Sequence, residues 1–410
     1  MRVLVVNKFW YRFGGLERVM FDEIAWLGAA GHEVAHYSTS HPCNDASPWS
    51  SYFAPYLELG AGAMLGAGEK LRAAYTIFWN GEAARGFDRL IADFDPDVVH
   101  VHGIHRQLSP SILGVARRHR VPVVQTLHDY HHLCPADALL YRGSEPCEPR
   151  RCGSLWYGPC VRGRCVRGSL SASVLSAAET SFQRVMRSYE RGVARFVSPS
   201  IFLKVQMQRG GWAKACDVVP NAVPVEQVRP GLGEGFCVIG RLSKEKGVEV
   251  ALEAARRARV RMTVAGEGPI SSRLQIAYPE ADFVGRLNSG AVAALVARSR
   301  GVVVPSVWFE NASMSVLETM AAGTPLVASA IGGIPEQVTD EVDGLLVAPG
   351  DVDGIVAAMR RLVGDDELCL RLGEASRDTV ARRFSPEGHL EGLLGAYRAA
   401  RSTQQRGRRR

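Results

Sequence analysis

The chain has 410 residues and a formal net charge of +7, with 46% hydrophobic and 22% charged residues. Because one hydrophobic core rarely serves so long a chain, we expect two domains of about 150–220 residues each. No stretch of about 18 apolar residues occurs, so the sequence excludes a membrane-spanning segment.

The beginning of the chain and its cysteines indicate the compartment. Met1 to Val6 carries a charge at residue 2 and then four apolar residues, which predicts a first strand and not a signal peptide. Nine cysteines without a secretion signal predict thiols in a reducing cytosol rather than a disulfide framework. We therefore expect a cytoplasmic protein.

Positive charge is unevenly distributed along the chain. Ten arginines and four acids lie between Arg142 and Arg195, and the last ten residues contain five arginines. Such clusters favour anionic partners, namely nucleotide phosphates, anionic lipid head groups or nucleic acid. Ordinary solvated surface charge is the alternative for the tail.

The first elements predict a β-strand, an α-helix and a second strand. Val3 to Val6 is an apolar strand, and apolar residues recur at helical spacing from about Leu16 to Ala30. Gly14 and Gly15 lie in the turn before the helix, where paired glycines let a sugar or phosphate approach the backbone. A tight turn would also explain them. The spacing is not the dinucleotide fingerprint, so NAD binding is not supported.

Three histidines lie at the end of the strand predicted from Asp97 to His102 or just after it. His100 and His102 share one face of the strand, and His105 follows in the loop. They could ligate zinc, but no further ligand or closed outer shell is identifiable, so we expect them to line a cleft. Asp95-Pro-Asp97 matches a D-x-D metal motif, but before a strand these residues favour a turn.

His128 follows the strand predicted from Val121 to Leu127 and precedes Asp129. Ligands of open α/β sheets bind at the carboxyl ends of the strands, so His128 could donate a fixed hydrogen bond to a sugar or phosphate. A purely structural role is the alternative.

A cysteine-rich segment at about residues 134–168 follows, and five cysteines lie within 32 residues of it. Four thiolates could hold a structural zinc, and the weak candidates are Cys147, Cys152, Cys160 and Cys165, but no C-x2-C sequence occurs. Thiols that bind no metal and redox bridges are the alternatives. The arginines nearby could contact nucleic acid, but zinc-finger spacing and interleaved aromatic residues are lacking, so we expect no nucleic acid.

The glycine- and proline-rich stretch from Val225 to Gly235 predicts a linker between two domains. The strand from Phe236 to Ile239 then leads into Gly240, Arg241 and, after four more residues, Lys246. Two cations around a glycine turn at a helix N-terminus can neutralise a diphosphate and stabilise the charge that develops on a leaving group. A solvated charged loop is the alternative.

Two carboxylates lie eight residues apart after the strand from Val302 to Val304. Glu310 lies in the loop and Glu318 on the following helix, so both face the crevice where open α/β sheets bind ligands. The amides from Ala312 to Ser315 begin the helix and suit a phosphate. Glu318 could instead close a capping box with Ser315. The acid pair beside an anion site indicates a phosphorylated sugar.

These motifs, in this order, resemble those of the family 4 glycosyltransferases, which are retaining enzymes of the GT-B fold. The acid pair E-x7-E runs into M-A-A-G-T-P-L-V-A, and G-G-x-E and G-R-x-x-x-x-K-G occur in the two halves. H-D-Y…L-C-P resembles one branch of the family. At Pro220 to Val223, P-N-A-V has Ala222 where the family has glycine. The resemblance covers Gly14 to about Tyr397.

The resemblance implies an α/β, GT-B architecture with two doubly wound Rossmann-like domains facing a cleft. It implies an acceptor-binding domain over residues 1–224, a linker over 225–235 and a nucleotide-sugar domain over 236–385. A helix over 386–400 then crosses back to the first domain, and residues 401–410 form a basic disordered tail.

The resemblance also implies roles for individual residues. Glu310 contacts donor-sugar hydroxyls, Glu318 contacts the ribose, and His128 lies near the sugar. Arg241 and Lys246 hold the diphosphate. The remaining donor-site positions are backbone amides and close-approach turns, at Gly14, Gly15, Gly240, Gly266, Gly285, Ser313 and Met314.

The implied function is retaining transfer of a sugar from a nucleoside-diphosphate sugar to a hydroxyl acceptor, in polysaccharide, glycolipid or glycoconjugate biosynthesis. No metal or other cofactor is required, because fixed cations replace Mg²⁺. The acceptor could be an oligosaccharide or lipid-linked, with peripheral contact between the basic segments and an anionic membrane at its inner face. The alternatives are a sugar-nucleotide 2-epimerase of the same fold and a catalytically silent sugar-nucleotide-binding protein.

Overall fold

The computed structural model describes residues 1–57, 74–141, 145–147, 152, 155–225 and 232–408. Within them, two parallel six-stranded sheets are each covered by helices. This confirms the expected α/β architecture with two Rossmann-like units. Residues 226–231, most of the predicted linker, lie outside the described residues. No described helix has the length and apolar character needed to cross a membrane.

The first sheet has the strand order β10-β9-β6-β5-β1-β2, and two short strand pairs lie beside it. Its central strands β1 and β5 are mostly apolar, with Arg2 and His100 as exceptions, because helices cover both faces of the sheet. The strands of this half are β1 (Arg2–Val6), β2 (Glu33–Tyr37), β3 (Thr39–Ser40), β4 (Ala54–Pro55), β5 (Val98–Val101), β6 (Val123–Thr126), β7 (Leu140–Tyr141), β8 (Glu145–Pro146), β9 (Arg195–Ser198) and β10 (Cys216–Val218).

The second sheet repeats the pattern with the order β13-β12-β11-β14-β15-β16. In each sheet the order reverses beside its first strand, between β1 and β5 and between β11 and β14. Ligands of such sheets bind outside the carboxyl ends of the strands at this reversal. The strands are β11 (Phe236–Ile239), β12 (Met262–Ala265), β13 (Asp282–Gly285), β14 (Gly301–Val304), β15 (Leu326–Ser329) and β16 (Leu345–Val347).

The helices alternate with the strands in both halves. The first half contains helices at Gly15–Ala29, Gly81–Phe94, Ser111–Arg118, Gly158–Arg162, Leu170–Val185, Ser188–Gly192 and Ile201–Arg209. The second half contains helices at Val248–Ala258, Ser271–Ala277, Ser289–Arg298, Met314–Ala322, Ile334–Gln337, Val352–Gly364, Asp366–Arg383 and Pro386–Arg408, and 3-10 turns lie at Ser50–Tyr52 and Lys244–Lys246.

The last helix returns to the first domain. Leu393 and Tyr397 are buried in one cluster with Val3 and Val5 of β1. The helix runs to Arg408, whereas a disordered tail was expected from residue 401.

Candidate active site

The loop from Pro305 to Ser313, here called the acidic loop, follows β14 at the reversal of the second sheet. Its Glu310 is 5% exposed. The Lys246 ammonium donates to Glu310 Oε1 at 2.7 Å, and the Ser306 hydroxyl donates to the same oxygen at 2.6 Å. Burial raises the pKa of Glu310, but Lys246 and the hydrogen bonds from Ser306 and Trp308 outweigh it and lower that pKa overall. Glu310 is therefore an ionised, fixed acceptor.

Three glycines hold the acidic loop from both sides. Gly332 has φ +64°, and a Cβ there would lie 2.2 Å from the Glu310 carbonyl oxygen. The Gly333 amide donates to that carbonyl at 2.7 Å. A Cβ on Gly247, with φ +65°, would lie 1.9 Å from the Pro305 carbonyl oxygen. Gly332 and Gly333 were not predicted as site residues, although the G-G pair after β15 was visible in the sequence.

The predicted glycine turns of the second sheet lie against one another. Gly240 and Gly266 have φ +146° and φ +142°, and a Cβ on Gly266 would lie 1.8 Å from the Gly240 carbonyl oxygen. The Gly266 amide donates to the Gly285 carbonyl at 2.8 Å. Side chains are thus excluded where the three strand ends meet, and backbone groups line that edge of the crevice.

Arg241 lies on this edge and is exposed. Within the described part of the chain, its guanidinium makes no ion pair or hydrogen bond. Lys246 differs, because its ammonium pairs with Glu310 and lies 5.3 Å from the centre of the Trp308 ring. The two predicted diphosphate-binding cations thus have different environments in the ligand-free protein.

The helix after the acidic loop begins at Met314, with Ser313 as its N-cap. Ser315 therefore lies inside the helix, and the capping box of Ser315 with Glu318 is wrong. The Ser313 amide donates to the Gln337 side chain at 2.9 Å, so it is already satisfied. The backbone amides of Met314 and Ser315 follow in the first turn of the helix, where an anion could bind them.

The first domain presents its glycine loop to this helix end. A Cβ on Gly15 would lie 3.6 Å from Met314 Cγ. The Gly14 amide donates to Glu17 Oε2 at 3.1 Å, and Glu17 also accepts from the Asn7 side chain at 3.3 Å. The glutamate of G-G-x-E therefore fixes the glycine loop rather than facing the cleft.

Glu318 makes an ion pair across the cleft, with 2.6 Å between Arg18 Nη1 and Glu318 Oε1. Burial raises the pKa of the Glu318 carboxyl, and Arg18 opposes that rise. Arg18 also lies 3.5 Å from Asp22 on its own helix. Arg18 was not predicted, although it directly follows the G-G-L-E sequence.

The acidic loop also touches the first domain. The Tyr130 hydroxyl donates to the Phe309 carbonyl at 2.9 Å, and the Asn311 side chain donates to the Leu127 carbonyl at 3.2 Å. His128 lies between these contacts in sequence, and its Nε2 is 2.8 Å from His102 Nδ1. Burial lowers the pKa of His128 to about 4, so the ring is neutral near pH 7.

Two family models match the chain, one over each half. "Glycosyltransferase Family 4" covers residues 13–227, and "Glycosyl transferases group 1" covers residues 230–379. The chain belongs to the family 4 glycosyltransferases.

Curated relatives of this glycosyltransferase cover most of its length. It is 28% identical to the glycogen synthase of Mycobacterium tuberculosis, over 98% of this chain and 95% of that protein. It is 31% identical to a GDP-mannose-dependent alpha-mannosyltransferase of Mycobacterium tuberculosis, over 76% of this chain and 75% of that protein.

Solved structures confirm the GT-B fold of this glycosyltransferase. Sucrose-phosphate synthase of Thermosynechococcus elongatus superposes with a TM-score of 0.68 at 18% identity, over 97% of this chain and 98% of that one. Anabaena HepE in complex with UDP-glucose superposes with a TM-score of 0.66 at 14% identity, over 96% of this chain and 98% of that one.

The expectation that the three histidines at the end of β5 line the cleft is wrong. His100, His102 and His105 are 0%, 2% and 7% exposed, so they do not line the cleft. His105 lies 3.6 Å from Asp129. The D-x-D sequence is a turn as expected, with Asp95 in the left-handed conformation and Asp97 accepting from the Arg2 amide at 2.9 Å.

His100 and His102 belong to a buried cluster, here called the histidine latch, that ties the last helix to the first domain. His389 Nε2 lies 3.1 Å from Glu23 Oε1, and the Tyr397 hydroxyl lies 2.8 Å from His100 Nδ1. Glu23 Oε2 lies 3.3 Å from His100 and 3.4 Å from His102. The members are Glu23, His100, His102, His389 and Tyr397.

The histidine latch contains an ion pair between the His389 imidazolium and the Glu23 carboxylate. His389 Nδ1 lies 2.6 Å from the Pro220 carbonyl, which can only accept, so this nitrogen carries a proton. Burial lowers the pKa of His389, but the hydrogen bond and charge of Glu23 raise it overall. Protonated His389 thus balances ionised Glu23. Glu23, His100 and His102 have the proximity of a metal site, but both ring nitrogens of His100 already have hydrogen-bond partners, Thr126 and Tyr397.

The cysteine-rich segment is only partly described. None of the nine cysteines forms a disulfide bond. Cys152 and Cys165 pack around buried Cys160, and Cys147 is also buried. A hydrogen bond with Cys165, together with burial, raises the pKa of the Cys160 thiol. Among the described residues, these cysteines do not form a group with the spacing of a metal site.

Proposed function

We propose that this glycosyltransferase moves a sugar from a nucleoside-diphosphate sugar to a hydroxyl acceptor with retention of configuration, without a metal ion. The observation that carries the proposal is the ion pair between half-exposed Lys246 and buried Glu310, 2.7 Å apart, where the strand order of the second sheet reverses. Arg241 and the turns at Gly240 and Gly266 lie on the same edge.

The diphosphate is assigned to the edge formed by these turns. Arg241 offers a guanidinium without a described partner, and the Met314 amide begins a helix that opposes Gly15. Anions bind well where cations and helix N-termini converge. Lys246 would share its ammonium between Glu310 and a phosphate oxygen. The positive charge that Mg²⁺ would otherwise supply comes from these side chains.

The sugar is assigned to Glu310 and His128. Glu310 is held ionised and immobile, so it can accept from sugar hydroxyls but is a weak nucleophile while it is paired with Lys246. Neutral His128 has the protonation state needed to donate to a sugar oxygen. Glu318 would exchange Arg18 for the ribose hydroxyls, because both lie on the cleft.

The reaction needs no covalent enzyme intermediate. The bond between the anomeric carbon and the phosphate oxygen breaks, and the acceptor oxygen bonds to that carbon from the same face. The acceptor proton passes to the departing diphosphate oxygen. Arg241 and Lys246 stabilise the charge on that diphosphate in the transition state.

The proposed setting is the cytoplasm, at the inner face of a membrane. The enzyme would act there in the assembly of a polysaccharide, glycolipid or glycoconjugate. The relatives named as a GDP-mannose-dependent mannosyltransferase and a glycogen synthase and the neighbour bound to UDP-glucose direct the first donors to test. An oligosaccharide or a lipid-linked sugar is the proposed acceptor.

Thermal shift with a panel of nucleotide sugars tests the donor. Because a ligand that binds only the folded state raises Tm, we expect GDP-mannose, UDP-glucose or a related donor to stabilise the protein. Arg241→Ala should abolish the shift. Lys244→Ala is the matched control, since Lys244 is an exposed cation on the same turn. Equal shifts in both variants, or no shift with any donor, would count against the proposal.

Incubation with the stabilising donor alone, without acceptor, separates transfer from epimerisation. The proposal predicts an intact donor or slow hydrolysis. An epimerised nucleotide sugar would identify a 2-epimerase instead, and donor binding without transfer to any acceptor would identify a silent binding protein.

A further inference from the structure

The helix Leu170–Val185 buries polar side chains and exposes apolar ones, which is the reverse of the usual arrangement. Its buried face is mostly polar, and the exposed face carries large apolar side chains. The buried residues are Ser173, Ser176, Ala177, Glu179, Thr180 and Gln183. The exposed face, here called the apolar face, is formed by Leu170, Val174, Phe182 and Val185, whose exposures are 51%, 48%, 40% and 66%.

Hydrogen bonds compensate the burial of the polar side. The Gln183 side chain donates to the Phe78 carbonyl at 2.9 Å, and the hydroxyls of Ser173 and Thr180 donate to carbonyls one turn earlier at 2.8 Å. The two hydroxyl bonds lie within the helix and its N-cap, and the Gln183 bond joins the helix to the segment around Phe78. A helix on the surface of a soluble domain normally places these two faces the other way round.

Two more large apolar side chains are exposed close to the helix in sequence. Trp156 is 69% exposed in the segment before the helix, and Met186 is 48% exposed just after it. Aromatic residues of this kind are favoured at membrane interfaces, where an apolar ring and a polar edge are both satisfied. Several large apolar residues grouped on one surface indicate a partner rather than chance exposure.

The segment that surrounds the apolar face in sequence carries more arginines than acids, and two of these arginines, Arg184 and Arg195, are paired with Glu190 and Asp217. Between residues 155 and 195 the chain has seven arginines and two acids. Arg162 and Arg164 are exposed before the helix, and Arg187 and Arg191 are exposed after it. The two acids are neutralised or hidden, because Glu179 is 2% exposed and Glu190 lies 3.5 Å from Arg184.

We propose that the apolar face and its flanking arginines dock the glycosyltransferase on an anionic lipid surface, with the helix lying in the plane of the interface. Apolar side chains enter the acyl boundary while arginines contact lipid phosphates, which is how interfacial helices bind. An anionic bilayer accounts for both features. The inference goes beyond the transfer reaction and holds whichever sugar is moved.

Vesicle flotation of the full chain tests this docking. We expect binding to phosphatidylcholine vesicles that contain about one third phosphatidylglycerol, and at least tenfold weaker binding to phosphatidylcholine alone. Raising the salt concentration should weaken the binding, because it screens the contacts of the arginines. Absence of binding to the anionic vesicles would overturn the proposal.

The double variant Val174→Glu/Val185→Glu should lose at least nine tenths of the bound fraction. Ile276→Glu is the matched control, since Ile276 is 82% exposed on the second domain and its charge change is of the same sign. Circular dichroism and the donor-induced Tm shift establish that each variant is folded. Equal losses in the control and the double variant would overturn the assignment to this face.

Two further comparisons identify the occupant. Removal of residues 404–410 should leave most of the binding in place, and complete loss on removing them would assign the contact to the tail instead. A dimer in light scattering that dissociates in Val174→Glu/Val185→Glu would assign the face to a second copy of the chain.

Discussion

The acidic loop and the histidine latch use similar groups for different purposes. At the acidic loop, Glu310 is paired with Lys246, 32% exposed at the edge of the crevice. In the histidine latch, Glu23 is paired with His389, and both side chains are 3% exposed or less. The first pair is open to solvent at Lys246, as the proposed exchange of partners with a ligand requires, whereas the second pair is closed off and joins two elements of the fold. Accessibility, rather than residue type, separates a ligand-binding site from a structural contact.

Loss of Lys246 is expected to have the largest effect. Lys246→Ala removes charge from the leaving group and leaves Glu310 buried without its partner, so kcat should fall by about a thousandfold. Initial rates with saturating donor and acceptor measure the change, and Lys244→Ala should stay near wild type. Near-normal turnover in a folded Lys246→Ala protein would contradict the assigned role.

Gly332→Ala tests whether the acidic loop is held by backbone contact. The alanine Cβ would clash with the Glu310 backbone, and residue 332 has a left-handed φ that alanine disfavours. We therefore expect the free energy of unfolding to fall by about 3 kcal/mol. Gly350→Ala is the control, because Gly350 has φ +79° and a Cβ there meets no atom within 4 Å. That control should lose only about 1 kcal/mol in urea unfolding. Equal losses would mean that backbone strain alone matters.

His389 of the histidine latch is expected to stabilise the protein more at low pH than at high pH. The pKa of His389 is raised above its ordinary 6.5 by Glu23, so its contribution is complete below about pH 6.5. It is lost as the pH rises through the raised pKa. His100 and His102 have pKa values that burial lowers, so they act in the opposite direction. The contribution of His389 is therefore measured as the difference between the wild type and a His389 variant in urea unfolding, and that difference should be larger at about pH 6 than at about pH 9.

His389→Gln removes the titrating group of the latch. This variant should lose about 2 kcal/mol near pH 6 and the latch's part of the pH dependence. His119→Gln, which changes a more exposed histidine beside Asp88, is the control and should keep the wild-type profile. An unchanged pH profile in His389→Gln would contradict the ion pair.

The sequence predicted the fold and the cleft well because both depend on local patterns. Apolar strands followed by glycine turns and helices define the two sheets, and the strand ends define where Glu310, Lys246 and Gly240 lie. The order of the motifs also placed the two halves in the family.

Contacts between distant segments could not be predicted from local patterns. Glu23 and His389 are 366 residues apart, and nothing near either residue indicates the other. The same holds for the ion pair between Arg18 and Glu318 and for the hydrogen bond from the Ser313 amide to Gln337. Both contacts form only when the chain is folded. The reversed polarity of helix Leu170–Val185 requires knowing which face is buried.

The last helix has a consequence for how the chain is made. Domains generally fold as they emerge from the ribosome, N-terminal first. Here the first domain buries Glu23 and His100, whose partners His389 and Tyr397 lie 366 and 297 residues later in the chain. The first domain therefore reaches its final stability only after the second has been synthesised. A nascent or prematurely terminated chain would keep its N-terminal half loose and open to proteolysis.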